Sequence, residues 1–136
     1  MNEPNKERIK LWVEALESGK FRQCQNVLTR IAENGGRSHC CLGVAVVVAM
    51  SNDLELTEEV VDNIVEYADV EGNVSSTVLP DAVVEWYGLA EVSPELLAGY
   101  DEDGEYSVEA TEMNDGKCAS FTEIAAAIRK TYGIES

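Results

Sequence analysis

Ile9, Trp12, Val13 and Leu16 recur at the i, i+3, i+4, i+7 spacing of one helix face, while Lys6, Arg8, Lys10, Glu14 and Glu17 fall off that stripe. Pro4 suits a first helical turn and Ser18-Gly19 a stop, so the pattern predicts an N-terminal amphipathic helix. Residues 20–37 read two ways. Phe21, Val27, Leu28 and Ile31 fit a helix, yet Asn34-Gly35-Gly36 is a hairpin-type turn between Val27–Ile31 and His39–Leu42, which favours a short hairpin. Cys40–Met50 is apolar nearly all round and marks a buried element. Leu42, Ala45, Ala49 and Met50 allow helix there and Val44 and Val46–Val48 favour strand; the length points to a buried central helix.

Thr57 is placed to cap a helix from Glu58 to Ala68, with Val61, Ile64, Val65 and Ala68 on one face. Leu79-Pro80-Asp81 opens a further helix through Val83, Val84, Trp86 and Tyr87, ended by Gly88. Ser93-Pro94-Glu95 starts a short helix ending at Gly99, and Asp101–Glu105 reads as an acidic turn. Loose alternation over Glu105–Met113 allows one short strand. Ser120-Phe121-Thr122-Glu123 is a capping-box signature before a stripe of Phe121, Ile124, Ala125, Ile128 and Tyr132. The expected fold is mainly α (α+β at most): about five helices with a small β-hairpin or short ribbon, in a single globular domain over residues 1–136.

Charge changes this picture more than composition does. The 136 residues are 45% hydrophobic, enough for a core without disulfide or metal staples. The formal net charge is −16. That excludes a binder of nucleic-acid backbone and argues against docking on anionic membranes. The acids are also segregated. Residues 1–37 and 117–136 hold all ten Lys and Arg, whereas residues 38–116 hold nineteen acids and none. Ordinary soluble surfaces intersperse both signs, so the 38–116 acid-only segment is as well explained by a basic partner as by solubility. No apolar signal-peptide core or membrane-length apolar run occurs, so a cytoplasmic location is expected. In that compartment Cys24, Cys40, Cys41 and Cys118 read as free thiols.

Candidate chemistry is sparse. His39-Cys40-Cys41 is the nearest thing to an activated thiol, but neighbours in a regular element point apart, and packing as small apolar residues explains the cysteines better. The cysteines and His39 lack the paired spacing of a zinc site. Asp101–Glu105 resembles half a calcium loop with Glu112 at position twelve, but Gly104 falls at position four instead of six, and a solvated turn explains it better. No phosphate loop, dinucleotide fingerprint or nucleophile elbow occurs. No cofactor, metal or enzymatic activity is expected.

Several landmarks together resemble a family of small uncharacterised proteins carried mostly by bacteriophages and prophages. They are Trp12–Gly19 followed by Phe21-Arg22-Gln23, then Cys40-Cys41-Leu42-Gly43-Val44, Leu79-Pro80, Trp86-Tyr87-Gly88-Leu89, Met113-Asn114-Asp115-Gly116 and Phe121-Thr122-Glu123-Ile124-Ala125. The resemblance spans residues 9–130. It makes Trp12, Gln23, Cys40, Cys41, Gly43, Trp86, Asn114, Asp115 and Phe121 the motif residues. It also implies an accessory protein in the cytoplasm of an infected or lysogenic bacterium. Cys24 to Asn26, where members often carry Gly, and the longer Asp115–Phe121 spacing depart from the pattern.

The expected function is stoichiometric binding: charge mimicry of nucleic acid against a basic host or defence protein. Its acidic face would comprise Glu58, Glu59, Asp62, Glu66, Asp69, Glu71, Asp101, Glu102, Asp103 and Glu105. Alternatives are a binder sequestering a small nucleotide signal through Arg22, Arg30, Arg37, Lys117, Arg129 and Lys130, a thiol enzyme on Cys40 or Cys41, and a virion accessory component.

Overall fold

The computed structural model describes residues 3–102, 104–116 and 119–134. Asp103, Lys117 and Cys118 lie outside the described residues, as do the side chains of Asp101 and Glu105. Helix α1 (Lys6–Glu17) is capped by the Asn5 side chain and buries Ile9, Trp12, Val13 and Leu16, the stripe the spacing predicts. After it come β1 (Arg22–Gln23), β2 (Thr29–Ile31) and β3 (Arg37–His39), with β2 and β3 joined through the Asn34–Gly36 turn as an antiparallel hairpin. Helix α2 (Cys41–Ser51) runs through the core, with eight of its eleven residues buried. Then follow β4 (Thr57–Val61), β5 (Ile64–Ala68), β6 (Val74–Ser75), α3 (Asp81–Tyr87), β7 (Glu95–Asp101), β8 (Gly104–Glu109), α4 (Ala110–Asp115) and α5 (Phe121–Tyr132). The capping box that opens α5 forms as the sequence predicts, Ser120 and Glu123 each accepting from the other's backbone N–H.

The strands build a mixed six-stranded sheet in the order β1-β3-β2-β5-β4, with β6 also on β5, and a separate β7–β8 ribbon. β1 runs parallel to β3 and the other pairs are antiparallel. The expectation of a mainly α fold is therefore wrong: the chain is α+β.

Two helices expected from the sequence are strands. Residues 58–68 form the β4–β5 hairpin, because Asp62 and Asn63 both take positive φ (52° and 68°), the signature of a two-residue type I′ turn. The i, i+3, i+4 match of Val61, Ile64 and Val65 is incidental. The period that governs β5 is two, burying Val65 and Tyr67. The second expected helix, 93–99, is instead β7, which pairs with β8 along its length and slips register by one residue between Leu97 and Gly99. The loose alternation after Glu105 belongs to β8 only as far as Glu109, where α4 begins.

The core is one contiguous cluster that joins α1, α2, α3 and α5 to Leu28, Val65, Tyr67 and Leu96. Gly43 sits where α2 meets Leu28, the residue just before β2. A Cβ there would run into the Leu28 carbonyl, so only glycine permits this approach.

Candidate functional site

The motif residues converge on the N-terminus of α2. Asn114, fully buried at the end of α4, accepts from the Cys41 backbone N–H at 3.1 Å and from Gln23 Nε2 at 2.9 Å. Its own amide donates to the Cys24 carbonyl and to Asp115 Oδ1, both at 2.8 Å. Asp115 Oδ1 also takes the N–H of Asn26, which has positive φ. Gln23 Nε2 donates further to Ala119 O, and Trp12 Nε1 donates to the Cys41 carbonyl at 2.9 Å. These bonds tie α1, β1, α2, α4 and the approach to α5 into one buried polar knot. Every side-chain group in it has a partner, as buried polar groups require. Trp86 packs edge-on against Tyr87 and carries the Arg8 guanidinium 4.3 Å above its ring, and Phe121 is buried where α5 begins. The residues that carry the resemblance hold the fold together.

The three described cysteines are free and buried. Cys40 caps α2, its sulfur accepting from Gly43 N–H. Burial pushes the Cys40 thiol up to about 12 and the Cys41 thiol well above its ordinary value; Cys24 is also raised, chiefly by burial. A thiolate nucleophile needs the opposite shift. The His39 ring bonds Thr29, so the geometry does not couple it to either adjacent thiol.

His39 belongs to a polar row that crosses the sheet on its helix-covered side. Thr29 is its register partner on β2, and Glu58 is that of Tyr67 across β4–β5. Thr29 Oγ1 lies 2.8 Å from His39 Nδ1 and 2.7 Å from Tyr67 OH. Burial, helped by Arg37 and opposed by Glu58, lowers the His39 pKa to about 4 and keeps the ring neutral. Above the row, Arg37, His39, Val47, Met50, Ser51 and Glu58 line a cleft of about 300 Å³.

The acids expected to form one face divide into several groups. Glu59 and Glu66 stand directly opposite each other on β4 and β5, on the open side of the sheet, with Asp62 exposed in the turn beyond. Glu58 points to the other side and pairs with Arg37 at 2.9 Å. Asp69 is committed to its own turn. It accepts from the N–H groups of Glu71 and Asn73 and from Asn73 Nδ2, and these bonds, the Asn73 side chain foremost, hold its carboxyl below the ordinary range. Glu71 is exposed beside it, and Glu102 is exposed on the β7–β8 ribbon. Asp101, Asp103 and Glu105 have no described side chains. The structure adds Asp81 and Glu85 of α3, which share a cavity of about 370 Å³ with Asp69 and Glu71. Their i, i+4 spacing on a helix was the signal available for them.

A family model matches residues 1–132. The chain belongs to that family, the domain of unknown function DUF8296. No curated protein and no solved structure matches it.

Of the cations offered for a nucleotide, Arg37 is held by Glu58, and Arg129 makes a two-pronged contact with Glu17 at 2.9 and 2.7 Å. Arg22 and Arg30 flank Ser38 on the open side of the sheet, and Arg30 is in turn opposite Ile64, which shares its face of β5 with Glu66. The open sheet face of this DUF8296 chain therefore carries both signs, with Arg30 on the strand next to that of Glu66. Among the described residues no group of three or more His, Cys, Asp or Glu is placed to hold a metal ion, and no helix is long and apolar enough to cross a membrane. The Thr29 and Tyr67 partners of His39 escaped sequence reading because a hydroxyl on a buried strand carries no spacing signal.

Proposed function

We propose that this protein is a stoichiometric binder whose acidic surface occupies the nucleic-acid-binding face of a basic protein. The supporting observation is a pair of like-charged cross-strand contacts. Glu59 faces Glu66, and Glu95 faces Glu109. Like charges directly opposite on neighbouring strands weaken a sheet, and a surface shaped for stability alone would set a Lys or Arg opposite each. Residues 38–116 supply none, and Arg30 of β2 stands opposite Ile64, diagonal to Glu66 and not across from it. A cationic partner relieves that repulsion, and the same field speeds its approach. The setting that fits the order of the landmarks is the cytoplasm of an infected or lysogenic bacterium, and the target is a nuclease, defence effector or transcription factor of the host.

The test is retention of basic nucleic-acid-binding proteins on the immobilised chain. We expect capture at low salt, release by raised salt and displacement by duplex DNA. Reversing Glu59, Asp62 and Glu66 to Lys together should abolish capture, while Glu14→Lys on α1 should not. Retention that ignores salt, DNA and the triple reversal refutes the proposal.

A further inference from the structure

The cleft over His39 has a defined hydrogen-bonding character, fixed from beneath. Tyr67 is fully buried, and its hydroxyl has one partner, Thr29 Oγ1. If His39 donated from Nδ1 to Thr29, three hydrogens would share two bonds, and either the Thr29 or the Tyr67 O–H would be left buried with no acceptor. Burying an unpaired donor is costly. The relay therefore runs the other way. Tyr67 O–H donates to Thr29, Thr29 O–H donates to His39 Nδ1, and the His39 proton resides on Nε2.

Among the described residues no hydrogen bond reaches Nε2. Nor is it sealed in, since every sealed side-chain nitrogen and oxygen of the described residues has a partner. His39 is 6% exposed as a residue and lines the cleft, so Nε2–H is an unused donor at the cleft floor. On one side Arg37 holds Glu58 Oε1, which leaves Oε2 as an unused acceptor. On the other, Val47 and Met50 of α2 supply an apolar wall.

We infer that this cleft binds a small uncharged molecule with an amide edge, a carbonyl beside an N–H on an apolar ring, as in a lactam or a pyrimidine base. The carbonyl accepts from His39 Nε2–H, the N–H donates to Glu58, and the ring lies against Val47 and Met50. Charge selects against other classes. The cleft's own Arg37 and Glu58 cancel, so neither sign is locally rewarded. A carboxylate or phosphate meets Glu58 and the −16 chain. An ammonium meets the Arg37 guanidinium and a donor where it needs an acceptor. The size, about 300 Å³, is the low end for small-molecule sites and suits one ring. This inference is independent of the acidic surface proposed above.

His39 is the sole histidine, so its two ring nitrogens can be followed without ambiguity in the ¹⁵N-labelled full chain. At neutral pH the spectrum should show a neutral ring protonated at Nε2. Titration with uracil and with 2-piperidone should move the Nε2 resonance saturably, with Kd about 1 mM, ordinary for so small a probe. The two probes separate a base-like ligand from a simple lactam. Hexanoate and butylamine should bind at least tenfold more weakly. Ser51→Trp, at an exposed position on the cleft rim, should weaken uracil about tenfold while leaving the His39 tautomer intact. Glu58→Gln frees Arg37 and should weaken uracil while admitting hexanoate. A ring protonated at Nδ1, no saturable shift with either neutral probe, equal binding of the charged probes, or indifference to Ser51→Trp overturns the inference.

Discussion

The Asn114 side chain, at the end of α4, caps the backbone of Cys41 at the start of α2, with Oδ1 3.1 Å from the amide nitrogen. The first turn of a helix leaves N–H groups without intrahelical partners. Here Asn114 takes one and Cys40 Sγ another, so α2 can begin inside the core. Replacing Asn114 by Ala orphans the Cys41 N–H, one Gln23 donor and the Cys24 carbonyl together. The expected loss is roughly 2–4 kcal/mol in a urea titration. Asn114→Asp, close to the same shape, should cost as much, because it sets a carboxylate against the Cys24 carbonyl and Asp115. A loss below about 1 kcal/mol for both would mean the knot is dispensable.

Gly43 and Gly72 make a matched comparison. At Gly43 a methyl group meets the Leu28 carbonyl, and both α2 and β2 would have to move. At Gly72 φ is +89° but nothing lies within 4 Å. Gly72→Ala should therefore cost on the order of 1 kcal/mol of backbone strain, and Gly43→Ala at least about 3 kcal/mol or the fold itself. Similar melting temperatures for the two variants would contradict the close approach of α2 to the Leu28 backbone.

What the sequence made legible follows the strength of local signals. α1, α2, α3 and α5 carry a stripe, a long apolar run, a Pro-to-Gly bracket and a capping box, and each forms where expected. The β4–β5 hairpin is hidden in the sequence because Thr57 and Glu58 imitate a helix start, while the real punctuation, Asp62-Asn63, lacks the glycine that usually marks a type I′ turn. β7 is hidden for a related reason: Ser93-Pro94 looks like a cap, and only pairing with β8 decides otherwise. The acids were legible as a segment but not as a surface, since alternation sends Glu58 and Glu59 to opposite sides of one strand. The knot around Asn114 joins residues 73 and 91 positions apart, a separation no local pattern encodes.

His39 gives a sign-definite pH dependence. Its folded pKa is depressed from 6.5 to about 4, mainly by burial, with Arg37 adding to the effect and Glu58 opposing it. Between those values the unfolded chain binds a proton that the folded chain refuses, so stability rises with pH there and is lost as pH falls from about 6.5 toward 4. The whole shift would carry about 3 kcal/mol; contact of Nε2 with water reduces this to roughly 2. The one Hε1 resonance should titrate near 4 in the folded protein. An ordinary midpoint near 6.5 would show the ring to be solvated and the Thr29–Tyr67 relay broken.

The thiols should be slow. With Cys118→Ser in the background, Cys24, Cys40 and Cys41 are buried and held toward the protonated form at neutral pH. Labelling by a maleimide should then follow global unfolding, and it should become fast in urea. Rapid modification of one cysteine in the native chain would reveal local opening near the α2 N-terminus.

The Glu59–Glu66 contact separates cost from purpose. Placed opposite one another and with no Lys or Arg in residues 38–116, these carboxylates repel through a partly screened field. Raising monovalent salt from 0.01 to 0.15 M shortens the screening length from about 30 Å to about 8 Å, so the melting temperature should climb over that range. Glu59→Lys turns the pair attractive. It should stabilise the free protein by about 0.2–1 kcal/mol and flatten the salt dependence. The same substitution should slow association with a basic partner, because it removes negative charge from the steering field. Gain in stability with loss of association is the combination expected of residues kept for binding at the expense of the fold. Should Glu59→Lys leave the melting temperature unchanged and the salt dependence flat, the acids are already neutralised within the chain, and the charge-mimic reading loses the observation that carries it.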